Sequence, residues 1–272
     1  PDPELDRADE LREKWGTELG QLWRIPSRAT PGGVHVLLCG DSATRADVAR
    51  TLGDVRADMM WTDPPYGVAY VGKTKDALTI VNDHLKGDGL RQFLTACFSS
   101  ANECALKEGA AVYVAHPAGA LSLQFLLAFA DVAWRVHQTL VWVKDGFALG
   151  HSDYHYAHEP ILLGYTPGGG RRGRGGEGWF GDNAQTSVFQ VPKPHANEEH
   201  PTMKPVELIV PMVRNSCPAS GMVYEPFCGS GATMAACESA GRTCRALELE
   251  PKYVAVTLER MAAMGLEPSL GL

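Results

Sequence analysis

The sequence predicts an α/β fold, a mostly parallel sheet with helices on both faces, and three observations carry that prediction. Short apolar runs alternate with helical patterns along most of the chain. One strand-like run ends in a glycine turn that opens a helix, and another ends in Asp63-Pro64-Pro65-Tyr66. Both special turns therefore fall at strand ends, where open sheets of this kind bind their ligands.

Taken in order, residues 1–33 are expected as an N-terminal arm and residues 34–272 as one domain. Val34 to Cys39 reads as a strand, Arg45 to Leu52 as a short helix, and Ala57 to Thr62 as the strand that feeds Asp63. A helix around Leu90 to Leu106 precedes a strand at Ala110 to Ala115. A helix at Leu121 to Phe129 then precedes strands at Arg135 to Val143 and Glu159 to Tyr165. Residues 166–197 are rich in glycine and read as a long loop region. Pro205 to Asn215 should be a helix with proline at its first position, leading into a strand from Met222 to Phe227. A helix ending about Ala240, a strand at Thr243 to Glu248 and a helix from Pro251 to Met264 complete the pattern.

Composition bounds the function. At 272 residues and 44% apolar content the chain can bury a full sheet without disulfides. The longest apolar stretch, Leu121 to Ala130, is too short to span a membrane, and no secretory signal opens the sequence. The seven cysteines form no C-x-x-C pair, so neither a zinc site nor a disulfide framework is indicated, and a reduced cytoplasm is expected. A formal charge of −7 is low for a nucleic-acid binder. The charges are unevenly spread: acids crowd the first thirteen residues, whereas Arg171, Arg172, Arg174, Lys193 and Lys204 fall in the second half.

The two turns carry the chemistry. Prolines hold φ and lack N–H groups, so Asp63-Pro64-Pro65-Tyr66 is a stiff loop offering carbonyl acceptors beside a carboxylate. Its natural guest is an exocyclic amino group, and Tyr66 adds a face on which an extruded base stacks. In Cys228-Gly229-Ser230-Gly231-Ala232-Thr233, the glycines admit a ligand close to the backbone at a helix start. Met234 stands where dinucleotide binding wants a third glycine, so the nicotinamide fingerprint fails. Glu248 lies about twenty residues past the turn, where a carboxylate takes both hydroxyls of a ribose; Glu250 competes for that role and otherwise reads as a helix-start charge before Pro251.

On these residues the chain resembles the amino-group DNA methyltransferases that use S-adenosylmethionine, in their circularly permuted β-class order. Asp63-Pro64-Pro65-Tyr66, His200-Pro201-Thr202-Met203-Lys204-Pro205, Glu225-Pro226-Phe227-Cys228-Gly229-Ser230-Gly231 and Glu248 appear in that family's sequence order. The opening Trp15-Gly16 and Gly20-Gln21-Leu22-Trp23 resemble methylase halves of phage or bacterial proteins with a ParB-like domain upstream, which implies such a domain ahead of this chain. The resemblance implies a Rossmann-like methyltransferase fold, with the glycine-turn strand beside the Asp63 strand. It implies S-adenosylmethionine as cofactor, DNA as partner, no metal, and a homodimer as a recurrent assembly.

It also implies site roles. Asp63, Pro64, Pro65 and Tyr66 are the expected catalytic residues. Asp41, Asp63, Thr202, Lys204, Glu225, Pro226, Phe227, Gly229, Ser230, Gly231, Thr233 and Glu248 are expected around the cofactor. Asp41 is open between the cofactor's adenine and an Asx turn before Ala43; Lys204 is open between the cofactor carboxylate and a helix start, and both readings can hold. DNA contacts are expected from Tyr154, Tyr156, Arg171, Arg172, Arg174 and Lys193, with residues 166–197 choosing the target. A solvated linker is the alternative for the arginines, embedded as they are in glycines. His151 and Asn183 depart from basic residues common in relatives. The histidines, tyrosines and acids from His151 to Glu159 read as a pocket wall around the flipped base rather than a metal site.

Methylation at cytosine carbon 5 would need a Pro-Cys dipeptide, which the sequence lacks. Adenine N6 is the expected target and cytosine N4 the alternative. Methylation of protein glutamine or RNA is disfavoured by motif order, and an inactive DNA-binding module by the intact Asp63, Tyr66, Gly229, Gly231 and Glu248.

Overall fold

In the computed structural model, residues 2–66, 87–148, 153–192 and 203–271 are described. Ten strands form one sheet in the order β10-β1-β2-β9-β8-β3-β4-β6-β5-β7. The strands are β1 Leu22–Pro26, β2 Val34–Cys39, β3 Ala57–Thr62, β4 Leu106–Ala115, β5 Arg135–Ala148, β6 Tyr156–Tyr165, β7 Val188–Gln190, β8 Met222–Glu225, β9 Thr243–Glu248 and β10 Ser269–Leu270. β2, β9, β8, β3 and β4 run parallel, whereas β6 is antiparallel to β4 and β5, and β1 to β2.

Helices sandwich the sheet because its central strands are apolar on both faces. Along β3, Met59 and Trp61 face one core and Met60 the other; along β4, Ala111 and Tyr113 alternate with Val112 and Val114. The first core is closed by α5 (Val206–Ser216), α6 (Ala232–Ala240) and α7 (Pro251–Ala263) through Leu208, Met212, Met234 and Leu258. The second is closed by α2 (Arg45–Leu52), α3 (Asp88–Cys104) and α4 (Ser122–Asp131) through Val48, Leu94, Phe98 and Phe129.

The N-terminal segment expected as an arm is built into the domain. Trp23 and Ile25 of β1 are buried, and α1 (Ala8–Trp15) presses Leu11 and Ala8 on Ala255 and Val256 of α7. Its single buried stripe is short, so the acidic composition masked it. β5 outruns the expected strand to Ala148, beyond the edge of β4, with a register shift between Val143 and Ala148 against β6.

One feature of connectivity positions the site. β8 leads through α6 to β9 on one side, while β3 leads through α3 to β4 on the other, so the chain departs in opposite directions from two adjacent parallel strands. A crevice opens outside their carboxyl ends at such a switch point.

Candidate active site

Two motifs far apart in sequence meet at this crevice. Met59 and Met60 pair with Val223 and Tyr224, which brings the ends of β3 and β8 together. Thr62 Oγ1 donates to Glu225 Oε1 at 2.5 Å across 163 residues of chain. Glu225 is 1% exposed, and it also accepts from the Phe227 N–H at 3.0 Å and from Thr233 Oγ1 at 2.6 Å. Burial pushes its carboxyl up to about 8, against these donors. Glu225 and Thr233 thus clamp the start of the glycine turn to the strand that carries Asp63.

The turn is shaped by its glycines. Gly229 has φ +53° with open space where a Cβ would stand, and Gly231 has φ +79° with that position only 2.8 Å from Thr257 Cγ2. Thr257 Oγ1 donates to the Gly229 carbonyl at 2.9 Å and Arg260 Nη1 to the Ser230 carbonyl at 3.2 Å, so α7 fixes the turn from beneath. At the tip of β9, Glu248 accepts the Gly229 N–H at 2.7 Å and the Glu250 N–H at 2.9 Å. Burial pushes its carboxyl up to about 7 against these N–H groups. Two acceptor positions of the carboxylate remain for hydroxyl donors. Asp41, next along the same edge, accepts the Ala43 N–H at 2.9 Å in an Asx turn. Pro226 is buried, and Phe227 packs on Phe93 with centroids 5.8 Å apart. Cys228 is 6% exposed and faces Thr257.

Asp63 lies in a network of buried charge. Lys204, 4% exposed, donates to Asp63 Oδ2 at 2.6 Å, and Tyr66 donates its hydroxyl to Asp63 Oδ1 at 2.7 Å. Glu159 Oε2 lies 3.1 Å from Lys204 Nζ and 3.4 Å from the Tyr66 hydroxyl, while its Oε1 accepts from Lys144. Burial raises the Asp63 carboxyl above its ordinary range, with Lys204 opposing. For Glu159 the Lys204 and Lys144 ammoniums overcome burial and bring the carboxyl down to about 2. Burial and then Asp63 hold the Tyr66 hydroxyl firmly protonated. The Lys204 ammonium also stands 5.2 Å above the Tyr66 ring. Next to it, Met203 Sδ is 2.9 Å from Ser230 Oγ, so this short segment spans the space between the two motifs.

Asp41, Asp63, Pro64, Pro65, Tyr66, Lys204, Glu225, Pro226, Phe227, Gly229, Ser230, Gly231, Thr233 and Glu248 thus share one edge of the sheet. Tyr154, 88% exposed, precedes β6 and Tyr156 opens it, and Phe147 of β5 stacks on His155 there. Thr202 and Lys193 lie outside the described residues, as do His151 and His200.

The loop arginines depart from expectation. β6 runs opposite to β4, so the segment after Tyr165 emerges at the opposite end of the sheet; Tyr165 is level with Met59, ~13 Å before Asp63 along the strand, and the loop continues away from it. There Arg172 donates to the Glu108 carbonyl at 3.2 Å and pairs with Glu177 at 3.5 Å, and Arg174 donates to the Gln185 carbonyl at 3.1 Å. Arg171, Arg172 and Arg174 line a cavity of about 470 Å³ with Tyr165, Trp179 and Asn215. They do not face the crevice, because the direction of β6 carries them away from it.

The sequence placed Glu159 only at the end of the His151 to Glu159 pocket wall and pointed to no role for Lys144. The available signal was an acid opening the otherwise apolar run Pro160-Ile161-Leu162-Leu163, since a carboxylate at a buried strand end requires partners.

Comparison with known proteins bears on this edge. The DNA methylase family matches residues 175–259, the stretch that holds Lys204, the glycine turn and Glu248. The type II methyltransferase M.XycI of Xanthomonas campestris pv. cyanopsidis is 30% identical over 170 residues, which cover 53% of this chain and 51% of that protein. The chain spans about half the length of that relative or less of other curated relatives. Among solved structures, the M1.HpyAVI–SAM complex superposes with a TM-score of 0.57 at 17% identity, covering 82% of this chain and 98% of that one. The cytosine-N4-specific PvuII DNA methyltransferase gives 0.59 at 15% identity, covering 84% and 90%. Among the described residues no helix is long and apolar enough to cross a membrane. The chain therefore has the mixed α/β fold of S-adenosylmethionine-dependent methyltransferases, and from residue 175 to 259 it matches the DNA methylase family.

Proposed function

We propose that this protein transfers a methyl group from S-adenosylmethionine to the exocyclic amino group of a DNA base, adenine N6 being the target we assign. The observation that carries the reading is the meeting of the Asp63 loop and the glycine turn at one switch point, joined by Thr62 and Glu225. The likeness to a cytosine-N4-specific enzyme supports cytosine N4 as the second reading.

The residues fit the cofactor. Gly229 leaves open space for it, Glu248 keeps acceptor positions for ribose hydroxyls, and Asp41 lies next along the edge for its adenine. Ser230, Gly231, Pro226 and Phe227 shape the cradle, while Glu225 and Thr233 act by positioning it. Thr202 and Lys204 are assigned to its methionine end. Bound there, the cofactor supplies an activated methyl carbon, whose bond to sulfur breaks with the electron pair left on sulfur.

The chain's own residues prepare the nitrogen. A base amino group is a poor nucleophile because its lone pair is delocalised into the ring. Accepting its two N–H bonds at the Asp63 carboxylate and the Pro64 carbonyl favours a pyramidal nitrogen with a localised pair. Tyr66 stacks on the base. The methylated nitrogen is acidic and sheds its proton to Asp63 or water. Tyr154 and Tyr156 are assigned to the DNA face next to this pocket. Arg171, Arg172 and Arg174, at the other end of the sheet, are given no part in holding the reacting base.

Radiolabelled S-adenosylmethionine, unmethylated DNA and mass spectrometry of the nucleosides test the reading. N6-methyladenine is expected, N4-methylcytosine selects the alternative, and label in neither overturns both. Asp63→Ala should bind cofactor and transfer nothing measurable.

A further inference from the structure

Glu159 faces the same two donors that occupy Asp63. The Tyr66 hydroxyl is 2.7 Å from Asp63 and 3.4 Å from Glu159; the Lys204 ammonium is 2.6 Å from Asp63 and 3.1 Å from Glu159. We propose that Glu159 is a positioning residue that receives the Tyr66 hydroxyl and the Lys204 ammonium as the target amino group takes their place on Asp63. This inference rests on the amino-methyltransferase reading above.

The geometry favours such an exchange and makes it easy. Each Asp63 oxygen already accepts from a strong donor, and an ammonium at 2.6 Å competes directly with an incoming amino group. Moving those donors aside without a second acceptor would strand a hydroxyl and an ammonium that is 4% exposed, a costly outcome in a buried site. Glu159 removes that cost. The Lys204 contact is already within hydrogen-bond range, and a displacement of ~0.7 Å brings the Tyr66 hydroxyl as close to Glu159 as it now is to Asp63. Lys144 holds the other Glu159 oxygen, so the receiving carboxylate stays in place. Tyr66 and Lys204 keep their protons throughout, and no covalent bond changes. The exchange also leaves charge balanced, since two carboxylates face two ammoniums before and after it.

The test compares wild type, Glu159→Gln, Tyr66→Phe and the double variant. Transfer is measured with radiolabelled S-adenosylmethionine on unmethylated chromosomal DNA, and cofactor affinity by calorimetry with S-adenosylmethionine alone. Glu159→Gln should lower kcat about 30-fold while changing cofactor Kd less than about threefold. In the Tyr66→Phe background, where there is no hydroxyl to receive, its penalty should fall below about fivefold. Penalties that multiply, or a Kd that worsens in step with kcat, overturn the proposal. If the glutamine variant does not fold, Glu159→Asp decides: reduced kcat at wild-type Kd supports it, and unchanged kcat overturns it. A wild-type protein that binds cofactor yet methylates no DNA overturns the parent reading and this inference with it. Wild-type transfer left intact by Glu159→Gln overturns this inference alone.

Discussion

Lys204→Met keeps most of the side chain's apolar stem and deletes one charge from a buried network, so its cost follows from the distances. Lys204 lies 2.6 Å from Asp63 and 3.1 Å from Glu159. At an effective dielectric of ~20, charges ~3 Å apart attract by ~5 kcal/mol, and lost hydration offsets much of it. Deleting one partner costs ~3–5 kcal/mol, because the remaining buried charge is left uncompensated. Glu159 retains Lys144, and Asp63 is 24% exposed, so the lower end, ~3 kcal/mol at pH 8, is expected. For a chain of this size that corresponds to a midpoint lowered by about 6–12 °C. The pH dependence has a definite sign. Glu159, held down at about 2, contributes stability that is present above the ordinary carboxylate range and lost as pH falls through about 2. Without Lys204 the two carboxyls bind protons sooner, so the deficit should be largest at pH 8 and shrink towards pH 4. Urea unfolding at pH 4, 6 and 8 measures it, and a deficit equal at all three values would refute the buried-network reasoning.

Glu225→Gln should behave oppositely with pH. A carboxyl raised to about 8 destabilises the wild type progressively as pH climbs from the ordinary carboxylate range to about 8, at ~1.4 kcal/mol per unit, and an amide has no such slope. The variant should therefore gain on wild type by on the order of 3 kcal/mol between pH 5 and 8, and parallel stability curves would contradict this. Gly231→Ala combines φ +79° with a Cβ 2.8 Å from Thr257 Cγ2; it should cost ~1–3 kcal/mol in urea unfolding and weaken calorimetric binding of S-adenosylmethionine more than about tenfold. An Arg171→Ala, Arg174→Ala double variant should hold DNA affinity within about twofold by fluorescence anisotropy, because the loop lies at the far end of the sheet. A tenfold loss would restore the phosphate role.

The sequence alone was informative wherever local pattern decides structure. The bounds of α2, β2, β3 and β9 follow from periodicity, and the glycine turn follows from backbone freedom at Gly229 and Gly231. Asp63, Tyr66 and Glu248 could be singled out as candidates because their neighbours in the chain mark them. Other elements were hidden for a physical reason. β1 and β10 are short strands at one margin of the sheet, defined by pairing with distant partners, and α1 depends on α7 for its buried stripe.

Only the tertiary structure decided what lies opposite what. That Glu159 and Lys144 share the Asp63 network depends on β5 and β6 pairing beyond the end of β4. That the arginine loop turns away depends on β6 running antiparallel, a direction that no local pattern encodes. Strand order and strand direction arise from long-range pairing, and they determine which carboxylates and cations meet in the buried site.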